Sequence, residues 1–260
     1  MRLSNAQYWD DRLDALDWKR RSARSSRAAW SRACRTFLSP ATAVAVDALG
    51  DLRDKHVLEL GSGHGHGAVH LVARGAAVTA LDISPRRCAE GQRQLSAAPA
   101  GDRIRFCAAR AEQLPFADNS FDLVFARDVL MYADPEEIVR ESRRVVRPGG
   151  RIVFVESLEG PLPLQWFRRW TSPADYRSFT THLSFQRLKQ LGDGASSQAS
   201  AHYLLSLIAF AALFLLKSSA LHDRLLQALY PFDRSLLTRF PMLRRWAWRG
   251  VLRVDVEGSS

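Results

Sequence analysis

The stretch HVLELGSGHGHG, residues 56–67, constrains the fold more than any other part of the chain. Its apolar run contains Glu59 and then gives way to glycine at every second position from 61 to 67. This pattern predicts a buried strand whose C-terminal end enters a tight loop. Glycine at positions 61 and 63 permits positive φ and lets a ligand approach the main-chain amides. The apolar pattern of residues 68–73 then predicts a helix whose N-terminus faces the same place.

A second predicted strand ends in a carboxylate. The run AVTAL, residues 77–81, is followed by Asp82. An acid at the carboxyl end of a neighbouring strand is placed to accept both hydroxyls of a ribose. The spacing E-x-G-x-G-x-G differs from the dinucleotide fingerprint and from the phosphate loop. The loop and the acid together predict a nucleoside site.

Four segments in order carry a family resemblance: VLELGSGHG (57–65), LDIS (81–84), AEQLPFADNSFDLVFARDVL (111–130) and ESRRVVRPGG (141–150). They resemble the class I S-adenosylmethionine-dependent methyltransferases, in particular their small-molecule, type 11-like group. The resemblance covers about residues 55–157. The alternation of strands and helices predicts a parallel, right-handed α/β sheet. The resemblance implies the full architecture, a Rossmann-like, doubly wound, mostly parallel seven-stranded sheet, and S-adenosyl-L-methionine as cofactor.

The resemblance also implies which residues bind the cofactor. Residues 59–65 would line its methionine and ribose part, Asp82 with Ile83 would hold the ribose and the adenine edge, and the segment from Arg127 would lie over the sulfonium. One departure is Ala109-Arg110-Ala111 in place of Gly-Asp-Ala, so Glu112 or a backbone carbonyl must bind the adenine amino group. A second is Tyr132, where the family often has histidine. The expected cofactor-binding residues are Tyr8, Glu59, Gly61, Ser62, Gly63, Gly65, Asp82, Ile83, Ala111, Glu112 and Arg127.

Three residues are the main catalytic candidates. A hydroxyl acceptor needs a general base within hydrogen-bond reach, whereas a carbon acceptor needs one only to remove a later proton. His182, Tyr132 and Tyr176 could take that part, as could Asp175, and the ordinary pKa of histidine suits it best. A lone histidine is nevertheless more often structural than catalytic.

A metal site is not expected. His64 and His66 lie in the glycine loop, where their side chains should point outward, and no carboxylate follows at ligand spacing. Methyl transfer from a sulfonium requires no metal.

The chain divides into three predicted regions: an N-terminal helical lid (1–55), a cofactor-binding core (56–157) and a helical substrate cover with a closing strand (158–260). The resemblance implies that Tyr8 in the lid closes on the methionine end, although its ring could equally anchor the helix. Residues 201–216 are almost wholly apolar but shorter than the roughly 20 residues that span a bilayer. They predict a buried helix, with Phe210 and Phe214 beside the acceptor, or a helix against a membrane. Either implies a lipophilic acceptor.

The net charge of +10 lies in the flanks of the chain. Residues 56–157 contain 13 basic and 13 acidic side chains, whereas residues 19–35 contain seven basic and no acidic ones. That basic stretch predicts either a helix docked on the core or a surface helix that meets anionic lipid or a phosphorylated substrate. No nucleic-acid-binding pattern is present. Three scattered cysteines and no signal-peptide pattern predict a cytoplasmic protein, with peripheral membrane contact left open.

These patterns predict a methyltransferase that acts on a small lipophilic acceptor at oxygen or carbon, such as a natural product, a quinone or an isoprenoid. Two alternatives remain open. A membrane-peripheral binding protein with a degenerate cofactor fold would explain the basic flanks. A nucleotide-dependent oxidoreductase would share the strand, glycine loop and acid, but not the later motifs. The oligomeric state is not predicted.

Overall fold

The computed structural model describes residues 7–10, 39–98, 101–192, 196–205 and 219–258. Its centre is a seven-stranded sheet with the strand order β3-β2-β1-β4-β5-β7-β6. The strands are β1 His56–Leu60, β2 Ala77–Asp82, β3 Ile104–Ala108, β4 Phe121–Arg127, β5 Val146–Ser157, β6 Ser197–His202 and β7 Arg249–Asp255.

Strands β1 to β5 are all parallel, whereas β7 is antiparallel to both β5 and β6. This confirms the predicted doubly wound, mostly parallel sheet. The strand order reverses where β1 lies between β2 and β4, and ligands of such sheets bind at the carboxyl ends of the strands at this position.

Helices cover both faces of the sheet. They are α1 Pro40–Leu49, α2 His66–Ala73, α3 Pro85–Leu95, α4 Pro135–Val145, α5 Leu162–Thr171, α6 Ala174–Ser178, α7 Phe185–Leu191 and α8 Ser219–Arg239, with short 3₁₀ turns at 101–103, 130–132 and 241–246. Two helix starts follow from local sequence signals. Ser84-Pro85 predicts the start of α3, where Ser84 caps the helix and Pro85 opens it. Asp134-Pro135-Glu136-Glu137 predicts the start of α4, which Asp134 caps.

Two apolar layers form the core. One packs α1 and α2 on one face of the sheet, and the other packs α4 and α7 on the opposite face. Consecutive residues of β1 illustrate this arrangement, because Val57 belongs to the first layer and Leu58 to the second. Central parallel strands are buried on both faces, which explains their nearly continuous apolar sequence. Helix α1, from the region predicted as a lid, is therefore part of the core.

The chain after β5 differs from its sequence-based interpretation. Residues 197–202 form the edge strand β6, although residues 191–197 predict a loop and an apolar helix was expected from Ala201. Pairing with β7 supplies the hydrogen bonds that this short polar segment could not form locally. Helix α8 runs continuously through Pro231, where two separate pieces were expected.

Some expectations lie outside the described residues. These are the basic stretch 19–35 and, in the apolar stretch 201–216, the residues from 206 onward, which include Phe210 and Phe214. Within the described part of the chain, no helix is long and apolar enough to cross a membrane.

Candidate active site

A cleft of about 320 Å³ opens at the carboxyl ends of β1, β2 and β4, where the strand order reverses. We call it the main cleft. Most of the residues expected to bind the cofactor line it: Glu59, Gly61, Ser62, Gly63, Asp82, Ile83, Ala111, Glu112 and Arg127. Gly65 and Tyr8 do not line it.

The first glycine of the loop, Gly61, is required because the side chain of Val129 lies very close to it. Gly61 has φ +64, and a Cβ there would lie 2.6 Å from Cγ2 of Val129. Gly65 is enclosed instead by the ring of Phe106, which explains why it does not face the main cleft. Gly61 thus lets the loops after β1 and β4 pack closely together, and Gly65 lets the glycine loop pack against β3.

The loop amides are bonded within the protein. The amide of Ser62 donates to the carbonyl of Leu81 (2.9 Å), and the amide of Gly65 donates to the carbonyl of Ser62 (2.9 Å). The amide of Gly63 donates to Oδ2 of Asp82 (2.8 Å). The expectation that the loop presents bare amides to a ligand is therefore wrong for these three residues, because the turn uses its own donors.

Asp82 is held rigidly at the end of β2. Its Oδ2 accepts from Gly63, and its Oδ1 accepts from the amide of Ser84 (3.0 Å). The side chain is buried, and this burial raises its pKa despite those two hydrogen bonds. A carboxylate has about four lone-pair sites, so each oxygen can still accept a ligand hydroxyl.

Two polar groups of the cleft have no hydrogen-bond partner among the described residues: Oε2 of Glu59 and Oγ of Ser62. Both side chains are buried, and burial raises the pKa of Glu59 to about 8, which Arg127 partly opposes. Unpartnered buried polar atoms are costly and indicate a polar ligand. A cationic sulfonium nucleoside with an amino acid part fits these groups.

Comparison with known proteins agrees with this geometry. Residues 58–154 match the family model described as a methyltransferase domain. The matched segment includes most of β1, the glycine loop, Asp82 and β4. Residues 58–154 are a class I methyltransferase domain.

Curated relatives share this domain. The chain is 36% identical over 118 residues to the demethylmenaquinone methyltransferase of Clavibacter sepedonicus, covering 45% of this chain and 47% of that protein. It is 36% identical over 128 residues to the ubiquinone/menaquinone biosynthesis C-methyltransferase of Paracoccus denitrificans, covering 46% of this chain and 50% of that protein. The chain thus spans about half the length of these relatives.

A solved structure extends the similarity in fold beyond the domain. Geranyl diphosphate C-methyltransferase from Streptomyces coelicolor A3(2) superposes with a TM-score of 0.57 at 15% identity, covering 82% of this chain and 77% of the other. At this identity the similarity establishes the fold.

The methyltransferase domain carries an unusual acid beside the expected adenine position. Glu112 lines the main cleft, and its Oε1 accepts from Nη2 of Arg110 (2.6 Å). Arg110, which replaces the family's acid, thus turns outward and holds a neighbouring acid in the cleft. This geometry favours Glu112 over a backbone carbonyl as the partner of an adenine amino group.

The N-terminal aromatic pair lies over the methyltransferase domain. Trp9 lines the main cleft, and the guanidinium of Arg87 lies 4.2 Å from its ring centroid. Tyr8 instead packs on Phe179, with ring centroids 4.8 Å apart. The sequence-based choice of Tyr8 thus missed Trp9, its neighbour in the helix, and only the docked helix orientation distinguishes the two.

The catalytic candidates fall into two groups. The hydroxyl oxygens of Tyr132 and Tyr176 lie 3.1 Å apart, and Tyr132 lines the main cleft. Burial, followed by Tyr176, raises the pKa of Tyr132 far above its ordinary value, so this hydroxyl stays protonated. The side chain of Asp175 lies outside the described residues.

His182 lies beside the main cleft rather than in it. It lines a second cavity with Tyr176, and its Nδ1 lies 3.3 Å from the carbonyl of Ser157. Burial, followed by the charge of Arg168, lowers the pKa of His182 to about 4. The imidazole is therefore neutral at pH 7 and a weak base, which speaks against the expected general base.

His64 and His66 correct another expectation. Both line the main cleft, whereas their side chains were expected to point outward. Burial lowers the pKa of His64 to about 4 and that of His66 in the same direction. Among the described residues, no cluster of three or more histidine, cysteine or acidic side chains could hold a metal.

Proposed function

We propose that the chain is an S-adenosylmethionine-dependent methyltransferase that acts on a small lipophilic acceptor. The observation that carries this proposal is Asp82, a buried carboxylate fixed by two amides at the switch point of a methyltransferase domain. A carboxylate oriented in this way is suited to bind the two ribose hydroxyls.

The cofactor would supply an electrophilic methyl group on its sulfonium. Asp82 would hold the ribose, and Glu59 would bind the methionine ammonium. Trp9 and Tyr132, whose ring centroids lie 5.5 Å apart, would close the main cleft and exclude water. Positioning and dry surroundings supply much of the rate enhancement of such a displacement.

The acceptor is proposed to be lipophilic because a cluster of aromatic rings adjoins the main cleft, which two of them, Trp9 and Tyr132, line. This aromatic cluster consists of Tyr8, Trp9, Tyr132, Tyr176 and Phe179. Flat rings stack well against a quinone or an unsaturated chain. The relatives named for menaquinone and ubiquinone biosynthesis act on acceptors of this kind.

Titration calorimetry tests the cofactor. We expect S-adenosylmethionine and S-adenosylhomocysteine to compete for one site. Asp82→Ala should lower the affinity for both ligands by at least about tenfold, because hydrogen bonds to a charged group are worth roughly 1.5–3 kcal/mol. Asp51→Ala, at an exposed loop acid, is the matched control. Equal affinity in the Asp82 variant, or binding of NADH instead, would refute the proposal.

We propose in addition that the protein is cytoplasmic and contacts an anionic membrane through α5. Leu162, Trp166 and Trp170 are 77%, 66% and 78% exposed, and their four-residue spacing places them on one helix face. The rings of the two tryptophans stack with centroids 5.6 Å apart. The helix also carries the exposed Arg169 and no acid. Exposed tryptophan beside arginine is typical of helices that lie in a membrane interface.

Vesicle flotation tests this contact. The protein should float with phosphatidylglycerol-containing vesicles at low salt and much less at high salt or with phosphatidylcholine alone. The pair Trp166→Ser and Trp170→Ser should abolish flotation, whereas Trp246→Ser on another exposed surface should not. Undiminished flotation of the double variant would exclude α5 as the contact.

A further inference from the structure

The cavity beside the main cleft is strongly basic. It measures about 320 Å³, and three arginines, His182 and Tyr176 contribute to its lining. We call it the basic cavity. Its arginines are Arg168 and Arg169 of α5 and Arg177 of α6.

Backbone carbonyls hold two of these guanidinium groups in place. Nη1 of Arg168 donates to the carbonyls of Leu158 (2.6 Å) and Glu159 (3.3 Å). Nη1 of Arg177 donates to the carbonyls of Arg169 and Ser172, the latter at 3.2 Å. Each group is thus anchored through Nη1, and neither its Nε nor its Nη2 donates to another described residue. Such a planar fork matches the oxygens of a phosphate or a carboxylate.

The positive charge of the basic cavity is not neutralised within the described part of the chain. None of its three arginines forms an ion pair with a described carboxylate, and Glu159 is the one acid among the lining residues described. Burial and the charge of Arg249 lower the pKa of Arg168 to about 10, so it stays charged at pH 7. Three neighbouring cations without a described carboxylate partner, of which Arg168 is partly buried and Arg169 and Arg177 are exposed, attract an anion.

The tyrosine pair connects this cavity with the main cleft. Tyr176 lines the basic cavity, Tyr132 lines the main cleft, and their hydroxyl oxygens are 3.1 Å apart. A small molecule lying across the pair would reach both spaces. An acceptor with its anionic end among the arginines would therefore present its remaining atoms to the main cleft.

We propose that the basic cavity binds an anionic group of the methyl acceptor, a phosphate or a carboxylate, and so selects acceptors that are lipophilic at one end and anionic at the other. This inference rests on the proposed methyl-transfer function. It identifies Arg168, Arg169 and Arg177 as specificity residues outside the cofactor site.

Calorimetry on the full chain saturated with S-adenosylhomocysteine tests this inference. The probes are inorganic pyrophosphate and benzoate, at constant ionic strength set with sodium chloride. Arg168→Gln combined with Arg177→Gln should lower the affinity for the probe that binds by at least about tenfold, given the strength of charge-assisted hydrogen bonds. Arg53→Gln, the same change at an exposed loop position, should change the affinity less than about twofold.

Arg169→Glu is a second variant, for use if the double variant fails to fold. The side chain of Arg169 is exposed, so its replacement keeps the carbonyl contacts of Arg168 and Arg177, and the variant should abolish probe binding. Binding of pyrophosphate alone would indicate a phosphate-bearing acceptor, and binding of benzoate alone a carboxylate. No binding of either probe, or equal binding by all variants, would overturn the inference. Binding of S-adenosylhomocysteine is measured first, so a failure there counts against methyl transfer and not against the basic cavity.

Discussion

At the scale of single residues, the protonation state of Glu59 depends on whether the main cleft holds a ligand. The carboxyl group lies at the end of β1, is buried, and has one oxygen without a described partner. Burial raises its pKa from 4.5 to about 8, so the folded, cofactor-free protein holds this proton at pH 7 and loses it above about pH 8. A bound cation would favour the ionised carboxylate and lower that pKa.

We therefore expect S-adenosylmethionine binding to release up to one proton at pH 7. Titrations in phosphate and in Tris, which differ in ionisation enthalpy, measure that number. The affinity should rise between about pH 6 and pH 8, since the proton must leave first. Glu59→Gln should remove both the proton release and the pH dependence. If the variant released as many protons as the original protein, another group would be responsible.

At the scale of elements, Arg144 explains how two sequence motifs act together. On α4 it donates from Nη2 to Glu141 (2.8 Å) and to the carbonyl of Leu114 (3.0 Å). Its Nη1 donates to the carbonyl of Phe116 and to Asp118, both at 2.8 Å. The ESRRVVRPGG helix thereby holds the LPFADNS loop, which leads from the Glu112 side of the main cleft into β4.

Arg144→Met should destabilise the protein by about 2 kcal/mol or more at pH 7, because the buried Glu141 would lose its hydrogen-bonded counter-charge and keep only the more distant Arg140, at 3.6 Å. Urea unfolding measures this change. The side-chain hydrogen bond from Arg144 lowers the pKa of Glu141 to about 2, so the contribution is present above pH 4.5 and disappears as the pH falls through about 2.

Arg140→Met is the matched control on the same helix. Arg140 is 64% exposed and pairs with Glu137 at the surface. It lies 3.6 Å from Glu141 but donates no hydrogen bond to it, so its replacement should cost less than about 1 kcal/mol. Equal effects of the two variants would contradict the bridging part assigned to Arg144.

At the scale of the whole molecule, ion pairs join the methyltransferase domain to the chain that follows it, and the described pair with the least exposed arginine is that of Arg249 with Asp128. Arg249 at the start of β7 donates to Oδ1 of Asp128, the residue just after β4. The amide of Ser157, at the end of β5, donates to the same oxygen (3.0 Å). The C-terminal strand thus reaches the edge of the main cleft, since Asp128 also lines it.

Arg249→Met should lower the free energy of unfolding by on the order of 3 kcal/mol, because Asp128 would lose its counter-charge in a largely buried position. Thermal unfolding followed by calorimetry measures this loss. The double variant Arg249→Met and Asp128→Asn should recover part of it, as a coupled pair requires. Strictly additive losses would show that the two residues act independently.

The linear pattern predicted much of the fold and of the site. The glycine run, the strand ending in Asp82 and the acid-capped start of α4 are local signals, so they locate β1, β2, α4 and the main cleft without knowledge of the rest. Strand β6 lacked such a signal, because the polar segment SQASAH becomes a strand only where β7 offers an edge to pair with.

Residue spacing therefore predicted the parallel sheet and the position of its cleft, because these follow from short-range periodicity and turn chemistry. The family resemblance added most of the side chains expected at the strand ends. Packing between distant segments decided the rest. It directed the loop amides inward to Asp82 and Leu81, placed Trp9 rather than Tyr8 in the main cleft, and brought Tyr176 to Tyr132 across 44 residues of chain. Such long-range contacts depend on how whole elements dock, and no local pattern encodes the direction in which a docked side chain points.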